Sequence, residues 1–184
     1  MTDDCPMFVR CFAELPYPLE DVRSAALGHP RRWLDTIDGA TDGSSFRCDV
    51  GPGPRWQEVR KQVRIRLGKP AGGPARLVMP MTWTPTGASG LFPKLEGSLE
   101  ISSLQRGVTL IALMAQYEPP LGALGRLVDG LLLHRVATST LREFNNRLAT
   151  NLDEVVKLNR KVAYVFSPSP AAWRPSTIEP APLG

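Results

Sequence analysis

The sequence predicts an α+β domain: a curved antiparallel sheet of about six to seven strands, two short helices after the first strand, and one long C-terminal helix. Three observations predict it. From Ser45 to Tyr117, five runs of strand character recur at hairpin spacing, with turns at Gly51-Pro52-Gly53-Pro54, Gly72-Gly73-Pro74 and Gln105-Arg106-Gly107. Beyond Pro119-Pro120 the apolar spacing becomes helical and stays so to Leu152. Between the first strand and this sheet, two short segments have helical spacing and helix-end signals.

Size and composition fit one folding unit. The chain has 184 residues, 42% of them hydrophobic and 22% charged, enough for one sizeable core and ordinary for a globular protein. Met1 to Asp4 is acidic where a secretory signal is basic, and no apolar run approaches membrane-spanning length. The expectation is a cytoplasmic protein without stable membrane insertion. Cys5, Cys11 and Cys48 are odd in number and lack metal-like spacing, which favours reduced thiols.

Taken in order, Pro6 to Leu15 reads as a strand with Met7, Val9, Cys11 and Ala13 on one face and Phe8, Arg10 and Phe12 on the other, both faces expected to be partly buried. Pro16 and Pro18 end it. Leu19 to Leu27 suits a short helix whose first turn carries Glu20 and Asp21 and which Gly28 stops. Arg31 to Ile37 places Trp33, Leu34 and Ile37 at helical spacing. The strands follow at Ser45 to Val50, Gln57 to Leu67, Ala75 to Thr84, Lys94 to Leu104 and Val108 to Tyr117.

Alternation separates the two faces of these strands. Val59, Val63, Ile65 and Leu67 oppose Arg60, Gln62, Arg64 and Arg66, with Lys61 an exception at an inward position. Leu77, Met79, Met81 and Trp83 form a second inward row; Leu95, Leu99 and Ile101 form a third. In the last strand both faces are apolar, and the row of Ile111, Leu113 and Tyr117 is taken as inward.

The long helix from Leu121 to Leu152 carries two apolar stripes, which at about 1.5 Å per residue extend over roughly 48 Å. Leu121, Leu124, Val128, Leu131 and Leu132 share the first, and Arg135 falls on that side; Ala137, Leu141, Phe144, Leu148 and Leu152 make the second. The expectation is that the first stripe covers the sheet, while the second packs on the short helices or on another subunit of a homodimer. Five prolines from Ser167 onward mark a tail that is extended rather than packed. This gives a single domain over residues 1–160 and a Pro-rich tail over 161–184.

Pro80 with Trp83, LFPKLEG at Leu91 to Gly97, TLIALMAQYEPPLG at Thr109 to Gly122 and LLLHRVATST at Leu131 to Thr140 together resemble bacterial members of the START/SRPBCC superfamily, the polyketide cyclase-like helix-grip proteins. The likeness spans roughly Met7 to Leu152. It implies a seven-stranded sheet gripping the C-terminal helix around a cavity for an apolar molecule. Such families include lipid carriers, hormone receptors, aromatase/cyclases and modulators of chaperone ATPases, so the fold alone does not select the function.

Candidate chemistry is sparse. His29 and His134 are the only histidines, which leaves no room for a His-rich metal centre, and no Gly-x-Ser-x-Gly motif is present. His29 reads as a loop residue. His134 and Arg135 lie side by side in the long helix; Arg135, among Leu124, Val128 and Leu131, would be buried and in need of a partner, either Asp129 or Glu118 or a ligand carboxylate. Between Arg55 and Lys69 six basic residues face one acid, which reads as a solvated outer strip without the aromatic interleaving of a nucleic-acid surface.

The sequence therefore predicts binding of a hydrophobic small molecule, such as a lipid, polyketide or isoprenoid-like compound, with no metal or organic cofactor and no nucleic-acid partner. Met79, Met81, Trp83, Leu95, Leu113, Tyr117 and Leu131 would line the site, with Arg135 or His134 as its polar anchor. No catalytic residue is assigned. The alternatives are a cyclase/aromatase-type enzyme using Tyr117 and His134, or an interaction module without ligand whose surface is the basic strip or the second helical stripe.

Overall fold

Strand alternation and turn chemistry lay out the sheet seen in the computed structural model, which describes residues 7–34, 45–53, 60–86, 94–117 and 130–166, with side chains in the last segment from 135 to 163. Strand β1 (Met7–Leu15) leads to helices α1 (Leu19–Gly28) and α2 (Pro30–Trp33). Strands β2 (Ser45–Val50), β3 (Lys61–Leu67), β4 (Ala71–Gly73), β5 (Arg76–Pro85), β6 (Leu95–Gln105) and β7 (Val108–Tyr117) follow, and helix α3 (Gly130–Phe166) ends the described chain. All seven strands join one antiparallel sheet in the order β1-β7-β6-β5-β3-β2, with β4 paired to β5.

The predicted strands are present, with adjusted ends. Strand β3 begins at Lys61 instead of Gln57, because residues 57–59 lie outside the described segments and Arg60 is unpaired. The seventh strand is β4, within a stretch read as turn: Gly72 adopts φ 127°, and a Cβ there would stand 2.2 Å from the Arg76 carbonyl oxygen. Helix α2 is the four-residue turn Pro30–Trp33, and Ile37 lies outside the described residues.

Sheet faces follow the alternation. Val63, Ile65, Leu77, Met79, Met81, Trp83, Leu95, Leu99, Ile101, Ile111, Leu113 and Tyr117 are all buried on the concave side, which resolves the parity of β7 in favour of the Tyr117 row. On the convex side, Arg64 and Arg66 of the basic strip are exposed, as is Arg60 beside them. One expectation for β1 is corrected: Phe8 and Phe12 are 69% and 59% exposed, so only the face of Val9 and Cys11 is in the core. Nothing among the described residues covers the Phe8 face.

Helix α3 corrects the expectation most. It runs 37 residues, about 55 Å at 1.5 Å per residue, and continues past Leu152 and past residue 160 to Phe166. Residues 121–129 lie outside the described segments, and with them most of the first stripe. The second stripe closes the core: Leu141, Phe144, Leu148 and Leu152 are each at most 3% exposed, so that stripe is not a surface for another subunit. Further on, Val155 and Val156 extend it where α1 and α2 pack, as expected for the helix's second half.

Polar ties fix the helix at both edges of the sheet. On the β2 side, the Arg147 guanidinium donates to the Asp49 carbonyl at 2.8 Å and the Asn151 amide donates to the Trp33 carbonyl at 3.2 Å. Trp33 is fully buried and donates its indole N–H to Ala26 O, which locks α2 onto α1. Near β1, Tyr17 donates to Asp153 at 2.6 Å while Lys157 donates to the other carboxylate oxygen at 2.7 Å. Arg160 lies 5.6 Å from the centre of the Tyr17 ring and also pairs with Asp21. These ties set the position of α3 over the sheet.

Two expected outcomes follow. At Gly97, where β6 and β7 come close, a Cβ would stand 2.1 Å from the Met114 carbonyl oxygen, so Gly97→Ala should lower stability in urea denaturation by about 1–3 kcal/mol. A neutral result would mean that the backbone relaxes freely there. The Asp153 carboxyl is held below the usual carboxylate range, first by the Lys157 hydrogen bond and then by that of Tyr17. Its contribution is therefore present above the unfolded value of about 4 and lost as pH falls through the lower folded value. Asp153→Asn should cost about 1 kcal/mol at neutral pH, with the gap to wild type closing on acidification; urea midpoints across pH measure it.

Candidate functional site

Register brings the predicted wall residues together. Trp83 pairs with Leu95 and Leu95 with Tyr117, so three of them stand in one rung across β5, β6 and β7, with Ile65 on β3 extending the rung beyond Trp83. Met79, Leu99 and Leu113 form a parallel rung that reaches Cys11 on β1. Met81 lies between the two, opposite Gly97. Helix α3 lies over these rungs, and the Phe144 ring meets Trp83 edge to face at 5.7 Å.

Two of the three helix residues proposed for the site, Leu131 and His134, belong to α3 but have side chains outside the described residues. Arg135 is described, and it is exposed. Its expected burial is thus corrected: the helix presents its core stripe from Leu141 onward, and Arg135 is turned away from it. Asp129 and Glu118, considered as its partners, lie outside the described residues. His29 lies at the α1–α2 junction, in an open cleft with Arg32, Asp21 and the end of α3.

The polar groups that do face the core were not foreseen. Asn145 is fully buried, and neither its amide nitrogen nor its amide oxygen has a hydrogen-bond partner among the described residues. Because both atoms are orphaned, the finding does not depend on which way the amide is turned. The indole N–H of Trp83 and the hydroxyls of Thr138 and Thr140 are also unpartnered, Trp83 at 4% and Thr140 at 3% exposure. Helix hydroxyls commonly bond the carbonyl of the preceding turn. Ser139 and Thr150 do so, to Val136 O and Asn146 O, whereas Thr138 and Thr140 do not.

A sequence signal for Asn145 existed. It stands four residues after Leu141 and three before Leu148, a polar residue in phase with the core stripe. No charged side chain among the described residues is buried; Ser45, Thr109, Thr140 and Asn145 are the buried polar ones, and Thr109 is satisfied by Tyr17 O at 2.8 Å. Burial pushes the Tyr117 hydroxyl above the usual phenol range and the Cys11 thiol above the usual thiol range, the latter partly offset by Arg142. Both stay protonated at neutral pH.

An opening of about 280 Å³ lies between the α1–α2 junction and the start of β4 and reaches Met79. Ala26, Leu27, Pro30 and Leu67 line it, Lys69 stands on it, and the core residues Phe46 and Met79 form its floor. A larger groove of about 700 Å³ crosses the convex face past Arg66, Thr82, Glu96 and Gln116. Among the described residues, no group of three or more His, Cys, Asp or Glu is placed to hold a metal, and no helix is long and apolar enough to cross a membrane.

Replacing Asn145 with Leu should raise the stability of the ligand-free protein by about 1–3 kcal/mol, since an unsatisfied buried amide is exchanged for an apolar side chain of similar size. Chemical denaturation measures this. A loss of stability would mean that the amide is hydrogen-bonded in solution.

No protein-family model and no curated protein matches this sequence. Solved structures do. A START superfamily protein from Mycobacterium smegmatis is similar at 18% identity and TM-score 0.50 over 83% of this chain and 98% of its own. A conserved protein from Geobacillus kaustophilus is similar at 15% identity and TM-score 0.54 over 79% and 94%. Ara h 8.0201 is similar at 8% identity and TM-score 0.50 over 80% and 98%. These likenesses extend over nearly the whole of each neighbour, so this chain, a curved antiparallel sheet closed by a long helix, has a helix-grip fold like that of the START superfamily protein.

Proposed function

We propose that this protein binds a hydrophobic small molecule, a lipid, polyketide or isoprenoid-like compound, between the concave face of the sheet and helix α3. The observation that carries this reading is the coincidence of an apolar wall with orphaned polar groups facing it. Met79, Met81, Trp83, Leu95, Leu113 and Tyr117 supply apolar surface on one face, while Trp83 Nε1 and the Asn145 amide lack partners among the described residues. Ligand sites have this composition: mostly apolar, with a few placed polar groups that orient the occupant. Native proteins seldom leave buried polar groups unpaired without a reason.

Affinity in such a site comes from apolar burial, about 2.5 kcal/mol for each 100 Å² removed from water before the costs of association. Met79 and Met81 add adaptability, because an unbranched thioether side chain reshapes around irregular apolar groups. The opening lined by Ala26, Leu27, Pro30 and Leu67 is the entry route in this reading.

A cyclase-type enzyme is the second reading, favoured by one observation. Tyr117 stands on the same rung as Trp83, and its buried phenol is held protonated, as a proton donor to a bound carbonyl requires. Turnover of a polyketide-like substrate that disappears in Tyr117→Phe would establish it.

Protein taken from its own cells is expected to retain an apolar molecule in native mass spectrometry. Trp83→Phe keeps an aromatic ring against Phe144 but removes the indole N–H donor and part of the ring volume, so it should retain less of that molecule while the protein stays folded, with a melting temperature lowered by a few degrees. Protein that is empty from its own cells and binds no added lipid or polyaromatic probe would overturn the binding reading.

A further inference from the structure

We infer that the ligand is electrically neutral and carries a carbonyl or hydroxyl oxygen at one end of an apolar body, so that fatty acids and other carboxylates are poor occupants. This rests on the ligand-binding reading above and narrows it to a chemical class.

The argument begins with the cations. A carboxylate taken out of water needs a fixed positive partner or several donors, because desolvating it costs several kcal/mol. Among the described residues no cation is buried on the concave face, and Lys69, at the opening, is exposed to solvent. Arg135 is exposed. Arg142 is exposed too, although close enough to Cys11 to influence its thiol. Arg147 is committed to the Asp49 carbonyl at the β2 edge. Lys157 and Arg160 are paired with Asp153 and Asp21 outside the sheet's concavity.

What the concavity offers is neutral. Trp83 Nε1 is a donor only, the Thr140 hydroxyl donates or accepts, and the Asn145 amide has donors and an acceptor. A ketone, ester, quinone or alcohol oxygen satisfies groups of this kind without bringing charge into the core. An ammonium group is disfavoured on the same ground as a carboxylate, because no buried anion faces it among the described residues. Thr140 and Asn145 belong to α3 and Trp83 to β5, so the neutral groups come from both layers.

Isothermal titration with dodecanol, a methyl ketone of the same length, dodecanoate and dodecylammonium tests the assignment, because chain burial is matched and only the head differs. Dodecanol or the ketone is expected to bind at least about tenfold more tightly than either ion at neutral pH. Asn145→Leu and Thr140→Val should each weaken the neutral probes by about five- to tenfold while leaving any residual binding of the ions unchanged. Two variants are needed because one substitution alone could repack the wall. Equal or tighter binding of dodecanoate would overturn the neutral-ligand inference and leave binding of a hydrophobic molecule standing. Neutral probes unaffected by both substitutions would overturn it as well. Absence of binding by all four would remove the reading on which it rests.

Discussion

Everything else in this structure depends on the stripe Leu141, Phe144, Leu148 and Leu152 closing against the concave rows of the sheet. A sheet with one apolar face is stable only when that face is covered, and burial of each such side chain contributes about 1.5–3 kcal/mol. Among the described residues the cover is chiefly α3, with α1 packed beside it on β6 and β7. Strands β1 and β2 stand at opposite ends of the strand order, yet both edges are tied to α3, β2 through Arg147 and the start of the α1 region through Tyr17 and Asp153. The helix therefore bridges edges that do not pair, and its placement sets the depth of the concavity beneath it.

That constraint gives weight to the polar residues on α3. A helix that closes the core has every reason to be apolar on its inner face, and its outer hydroxyls, Ser139 and Thr150, are satisfied on the backbone. Asn145 and Thr140 break the pattern at the centre of the span. Departures from local consistency concentrate at functional sites, where stability is given up for a geometry that a ligand uses. The Trp83 N–H on the opposite wall is the same departure made from the sheet side.

Much of this was legible in the sequence. Alternation is a period-two signal that survives in every strand, so the rows of Met79, Met81, Trp83, Leu95 and Leu99 could be assigned without coordinates, and even the ambiguous β7 was assigned to the correct face. The helix was harder, because two stripes of similar apolarity differ only in what they meet, and that is decided by tertiary placement. The stripe from Ala137 reads as packing on the short helices or another subunit; it does pack on α1 and α2, and it is also the stripe that closes on the sheet. Arg135 failed for the same reason: its burial was inferred from Leu124 and Val128, whereas the face that sets the core begins at Leu141. Strand β4 was hidden because three residues, two of them glycine, carry no alternation to read. Asn145 was visible in phase but silent, since spacing shows that a polar residue is inside without showing whether anything satisfies it.

The division of labour between wall and polar groups also explains how so uniform an interior could be selective. Apolar rows are non-directional; a methylene more or less on a ligand changes binding by about 1–3 kcal/mol and leaves many occupants nearly equivalent. A buried donor left unpaired discriminates more sharply, because the wrong ligand fails to gain a hydrogen bond and also keeps the group desolvated. Trp83 is on β5, and Asn145 is on α3 one residue beyond Phe144, the ring that meets Trp83. A ligand that satisfied only one of them would leave the other as costly as before. In the proposed binding reading, the sheet and helix rows would set how much apolar surface is accepted, while the positions of two neutral side chains would set which molecule is accepted.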